Sequence, residues 1–228
     1  MMNQENPLVE MRRLKVVLST IVINVLAVCY FASVSWSDWK SGLILNLVDN
    51  FILITYLCYQ QDRVMLDWMI FGIAVGVTEL YADAWLVSGT HTLDYSIGGG
   101  PMLWYSPMWM PFAWEIVAIQ LGYLGGYLWR RFGRIGLLMI GLIGAVNIPF
   151  YEEMARFTKW WTYSGCKTVL HTPYFIILGE FLIAIGLTIW AQDIEAGKWV
   201  RSVLNGIFGG ILILISYMAS YGLIEFFL

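Results

Sequence analysis

Apolar residues run along the chain in stretches of about 20, the length a helix needs to cross a hydrocarbon core. Short segments between them hold most of the charge. The stretches fall at 14–34, 42–59, 66–87, 107–129, 135–151, 172–191 and 202–227. They predict an all-α integral membrane protein: a seven-transmembrane helix bundle forming a single domain over 1–228. The basic cluster Arg12, Arg13, Lys15 precedes an apolar run over 16–34 that exceeds the apolar part of a secretory leader and lacks a small-x-small cleavage site, so it reads as a retained first span.

Charge orients the bundle. With the N-terminus in the cytoplasm, the inner segments hold nine basic residues: Arg12, Arg13, Lys15, Arg63, Arg130, Arg131, Arg134, Lys198 and Arg201. The outer segments hold four, Lys40, Arg156, Lys159 and Lys167. The positive-inside rule therefore predicts a cytoplasmic N-terminus and, after seven crossings, a C-terminus on the outer side. Composition agrees with lipid as the solvent: 59% of the residues are hydrophobic and 13% charged, where a soluble domain has about 25% charged residues. The net charge of -3 and the absence of a basic stripe exclude nucleic acid as a partner. Cys29, Cys58 and Cys166 lie too far apart to suggest a disulfide framework or a zinc site and read as packing residues.

A duplicated order runs through the middle of the chain. Glu79-Leu80-Tyr81-Ala82, Trp85, Tyr95-Ser96, Pro107 and Glu115 are followed, in the same sequence, by Glu152-Glu153-Met154-Ala155, Trp160, Tyr163-Ser164, Pro173 and Glu180. Two parallel repeats over 66–130 and 135–191, related by an axis along the membrane normal, are expected to place a site at their shared interface. The aromatic groups Trp36 and Trp39, Trp104, Tyr105 and Trp109, and Trp160, Trp161 and Tyr163 fall where interfaces belong, so they read as a belt, with a few left to line a pocket.

Carboxyls within spans are the candidate chemistry, because each costs about 2.5–3.5 kcal/mol to insert and so marks the bundle interior and function. Glu115 lies about 12 Å down its helix from Pro107, and Glu180 about 10 Å from Pro173, at 1.5 Å per residue. They are expected at matching depth, either as proton donors or as interhelical packing contacts. Asp49, with Asn46 and Asn50, is a further interior acid, and Glu225 is expected at the outer interface. Glu79 and Asp83 share a helix face with His91 in the next loop, which leaves open a metal site of an oxidase or oxygenase subunit. Glu152 and Glu153 face either the interior or an ion pair with Arg156 and Lys159. His171 is a candidate proton relay or an interfacial residue. The Gly98-Gly99-Gly100-Pro101 run lacks the flanking strand and Lys-Ser/Thr of a phosphate loop and reads as a flexible outer loop.

The segment from Pro149 through Glu152-Glu153 to Phe157 resembles the proline, paired-glutamate, phenylalanine signature of the membrane-embedded lycopene cyclases, with one additional residue after the proline. Trp160-Trp161-Thr162-Tyr163 followed by Pro173 is similar to related carotenoid biosynthesis proteins, including carotenoid hydratases. The resemblance covers 77–185 and implies acidic site residues at Glu152 and Glu153 and, through the repeat, at Glu79. It also implies cyclisation, isomerisation or hydration of an isoprenoid, carotenoid or similar apolar lipid. Such chemistry needs a proton delivered to a double bond and aromatic faces around the resulting cation. The expected proton-handling set is Glu79, Glu115, Glu152, Glu153 and Glu180. The expected substrate contacts are Trp85, Tyr95, Trp114, Trp160, Trp161, Tyr163 and His171, with no cofactor and with membrane lipid and a lipid-soluble isoprenoid as partners. A transporter or a small subunit of a larger membrane complex is the non-catalytic alternative.

Overall fold

The computed structural model describes residues 7–194 and 196–227. Seven helices follow in order: α1 (Pro7–Ser33), α2 (Trp39–Gln60), α3 (Arg63–Ala84), α4 (Met110–Phe132), α5 (Arg134–Thr158), α6 (Tyr174–Trp190) and α7 (Trp199–Phe227). A π-helical turn, Trp85–Gly89, prolongs α3, and a single 3-10 turn, Ala191–Asp193, prolongs α6. Local chemistry sets the boundaries. The Asp38 carboxylate accepts from Lys40 N at the start of α2, and the Asp62 carboxylate from Val64 N and Met65 N at the start of α3. Gly133, at φ 58°, is the sole residue between α4 and α5.

Six of the helices, all but α4, are long and apolar enough to cross a membrane. The fourth carries Glu115, Gln120, Arg130 and Arg131 and packs against α1, α2, α3, α5 and α6, so much of its surface meets protein. The helix ends nevertheless alternate. At one end the start of α1 reaches the α2–α3 junction through Arg13 and Asp62, and reaches the end of α4 through Glu10 and Arg130. There too Gly197 N, just ahead of α7, donates to Asp67 near the start of α3.

Between α3 and α4 lie β1 (Leu93–Asp94), β2 (Met102–Leu103) and β3 (Ser106–Pro107); between α5 and α6 lie β4 (Thr162–Tyr163), β5 (Thr168–Val169) and β6 (Thr172–Pro173). The order helix, strand, hairpin, helix therefore occurs twice. The hairpins match in register, Met102 with Pro107 and Thr168 with Pro173, and each has a non-glycine residue at positive φ three positions before its proline, Trp104 and Leu170. β1 and β4 pair antiparallel, Leu93 with Tyr163 and Asp94 with Thr162, which joins the two halves at the end opposite the Arg13–Asp62 contact.

Glycines bring the helices close. A Cβ on Gly76 of α3 would lie 1.9 Å from the Pro111 carbonyl oxygen, and one on Gly210 of α7 would lie 2.4 Å from Thr78 Cβ. This is the small-residue contact by which helices pack in lipid, where apolar burial alone gives little drive. The Gly98–Gly100 segment is likewise fitted to its surroundings: a Cβ on Gly98 would meet the Lys159 carbonyl, and Gly100, at φ 87°, lies against the Trp39 ring. Large apolar side chains such as Phe51, Val146 and Ile135 project outward, as a lipid-facing surface requires.

Candidate functional site

The two halves and the flanking helices enclose a cavity of about 180 Å³. Trp109, Trp160 and Trp161 form its roof, with ring centroids 5.6 to 6.3 Å apart. The roof is pinned: Trp160 Nε1 donates to Ser41 Oγ at 2.9 Å, and Gly42 clears room for the Trp109 ring. Asn24, Asn46, Gln120 and Asn147 supply further polar lining from α1, α2, α4 and α5. Asn147 is exposed as well, so the cavity reaches the outside of the bundle beside α5.

Three carboxyls open onto this space, and each is held by a tyrosine. Tyr95 donates to Asp83 at 2.7 Å, Tyr163 to Glu152 at 3.4 Å, and Tyr217 of α7 to Glu180 at 2.7 Å. Trp161 Nε1 adds a second donor to Glu152 at 2.5 Å. Glu79 lies one turn before Asp83, fully buried, with Asp83 within hydrogen-bonding reach and Glu180 within electrostatic reach. No Lys, Arg or His contributes to the lining among the described residues. Whatever charge the four acids carry must be offset by protons held within the set or by a cation that a ligand brings, since isolated buried charge is prohibitively costly.

The expected residues divide. Glu152 and Glu180 line the cavity, as do Tyr95, Trp114, Trp160, Trp161 and Tyr163, while Glu79 stands directly behind Asp83. Glu115 does not join them. Counted from the hairpin proline, the seventh residue is Trp114 in one half and Glu180 in the other, and both face the cavity. Glu115 is the eighth, about 100° further round the helix, and it points into a different groove. Glu153 also turns away: it pairs with Arg156 at 2.9 Å and with exposed His171 at 2.5 Å, outside the cavity. Trp85 stacks edge-on against Tyr221 instead of entering the lining. Glu225 accepts from Lys167 N. Among the described residues no three of His, Cys, Asp and Glu converge to hold a metal ion, so Glu79, Asp83 and His91 do not form a ligand set.

Three members of the site lie outside the expected proton-handling and contact sets: Asp83, Tyr217 and Trp109, whose ring reads in the sequence only as part of the interfacial belt. In the sequence Asp83 reads only as a candidate metal ligand, yet the tyrosine pairs make it the counterpart of Glu152, because each acid precedes its tyrosine by 12 or 11 residues. Tyr217 lies in α7, beyond the duplicated segment, and nothing in the sequence separates its hydroxyl from those of Ser216, Ser220 and Tyr221 in the same span.

No curated protein and no solved structure matches this chain. Residues 80–224, more than half of it, match a family model. The matched span begins within α3 and takes in Asp83, Glu152, Glu180 and Tyr217, and the chain belongs to the family described as Domain of unknown function (DUF6989).

Proposed function

We propose that this chain crosses the membrane seven times, with its N-terminus in the cytoplasm, and that it acts as an enzyme on an isoprenoid or similarly apolar lipid by acid chemistry. The alternation of all seven helix ends supports α4 as the seventh crossing, and the gathering of basic residues at the end where α1 begins supports the orientation.

One observation carries the catalytic reading. Tyrosine-held carboxyls from both halves converge on a single tryptophan-roofed cavity whose lining contains no cation. In this reading a carboxyl holding its proton gives it to a carbon–carbon double bond, and the cation that forms is sheltered by the faces of Trp109, Trp160 and Trp161, each worth about 0.5–2 kcal/mol. A second, ionised carboxyl takes a proton from the adjacent carbon, so that cyclisation or isomerisation leaves the proton count unchanged. A cavity of about 180 Å³ is smaller than the ~300 Å³ at which ordinary ligand pockets begin, so it suits the reacting end of a long molecule. The tail would leave by the opening at Asn147.

The test is lipid extraction from a host that makes linear isoprenoids, with the chain present and absent. A new isomer, ring or alcohol is expected with the native chain and is expected to vanish with Glu152→Gln. An unchanged lipid profile beside a correctly inserted chain would end the proposal. A carrier of a proton or small cation is the second reading, favoured by Asp49, a buried acid of α2 beside Asn24 and Tyr151. Loss of proton or cation flux in vesicles on Asp49→Asn, without any lipid product, would select it.

A further inference from the structure

A second depression lies on the outside of the bundle, away from the tryptophan roof. It has a volume of about 620 Å³ and runs between α3, α4 and α7, with Asn50 of α2 at one side. Its walls are apolar, from Ile70, Ile73 and Val77 of α3 to Ile207 of α7, and Val77 and Phe112 are exposed at its margin. Into this slot points Glu115. That residue is 1% exposed, Asn50 lies within its hydrogen-bonding reach, and its Oε2 has no partner.

We infer that this groove is a membrane-facing binding site for a long-chain lipid alcohol, whose hydroxyl meets the Glu115 carboxyl and whose chain lies along α3. Three observations select that occupant. A buried carboxyl oxygen without a partner is unfavourable, and a ligand that supplies the missing hydrogen bond recovers that cost. A hydroxyl both donates and accepts, so it fits Glu115 in either protonation state, whereas a ketone, which only accepts, fits only the protonated one. The groove follows residues 69–78 in the middle of α3, so its polar anchor sits deep in the hydrocarbon, where a phosphate headgroup does not go. The volume falls within the ~300–1,000 Å³ of small-molecule sites. This inference is independent of the reaction proposed for the cavity.

Photolabelling tests it, with the whole chain in lipid nanodiscs and a diazirine-bearing C16 alcohol as the probe, against the same chain ending in a methyl group. Native protein should be labelled on α3, α4 or α7 about tenfold more by the alcohol than by the hydrocarbon, the factor one good hydrogen bond supplies. Glu115→Leu should erase that preference. Val77→Trp, at an exposed position the fold tolerates, should block labelling by both probes, and Glu180→Gln should leave it unchanged. Equal labelling by the two probes, or labelling indifferent to Glu115→Leu and Val77→Trp, overturns the inference. So does crosslinking of the groove to a neighbouring protein helix in native membranes, which would make it a protein interface.

Discussion

The two helix, strand, hairpin, helix halves face each other across one cavity, and they carry different chemistry on the same scaffold. In the first half, Asp83 is held by Tyr95 and backed one turn away by Glu79, while Trp114 takes the seventh position after the hairpin. The second half spreads its acids over two helices: Glu152 of α5 under Trp161 and Tyr163, and Glu180 of α6 at that same seventh position, reached by Tyr217. Duplication thus sets the frame, and the acids break its symmetry. An unsymmetrical pair of acids suits a reaction in which one group gives a proton and another takes one.

The sharpest way to break this contrast is to neutralise the two counterparts separately. Glu152→Gln should lower product formation per inserted molecule by about 10²- to 10⁴-fold, the usual loss when a general acid or base is removed. Asp83→Asn should cost less, because Glu79 remains one turn behind it as a second source of protons. Equal losses, measured on extracted lipids, would show that the two halves act alike.

At the opposite end the halves are anchored differently. The first begins at Asp62, which caps α3 and pairs with buried Arg13 at 2.7 Å, whereas the second begins at Gly133 with no side-chain cap. Arg13→Met should destabilise the bundle by about 3–5 kcal/mol, the cost of stranding one member of a buried pair. Burial by itself would raise the Asp62 carboxyl, but the Arg13 guanidinium, the Met65 amide and the Tyr56 hydroxyl together hold it below its ordinary value. A lowered value contributes stability that is complete above the unfolded value, near 3.8, and is lost as pH falls through the folded value. Thermal unfolding in detergent should therefore show an acid-labile component that Asp62→Asn removes. Its persistence in that variant would assign the acid sensitivity elsewhere.

Packing offers a smaller contrast. Gly76→Ala would drive a Cβ to 1.9 Å from a backbone oxygen and should cost about 1–3 kcal/mol as overpacking, read as a lowered unfolding midpoint. Gly144→Ala in the second half meets the Glu180 carbonyl at 2.7 Å and should cost less. A reversed order would mean that α3 and α4 can part more easily than α5 and α6.

Much of this frame is legible in the sequence, for a physical reason: lipid demands long apolar helices, so the stretches announce themselves. The fourth helix reads less clearly because protein surrounds it, and α5 runs on to Thr158 because Glu152 and Glu153 belong to the helix that the apolar stretch only begins. The duplicated order can be read too, but its register cannot. Glu79 aligns with Glu152 by the order of residue types, yet the tyrosine hydroxyls show that Asp83 occupies the matching place. Glu115 and Glu180 look equivalent in depth and differ by one residue in phase, enough to send one carboxyl inward and the other toward the lipid-facing groove. Depth follows from counting residues, whereas direction depends on where the preceding hairpin releases the helix.

The smallest effect isolates what distinguishes Glu152 from Asp83 most simply, its indole donor. Trp161→Phe keeps an aromatic face over the cavity and removes the indole N–H that donates to Glu152, leaving that acid with one tyrosine. One such hydrogen bond contributes about 0.5–1.5 kcal/mol, so turnover should fall roughly 2- to 10-fold. If the bond orients the proton and does not hold the substrate, the loss belongs in kcat with KM unchanged. A rise in KM with kcat unchanged would reassign Trp161 to the roof alone, and the difference between the halves would then rest on Glu180.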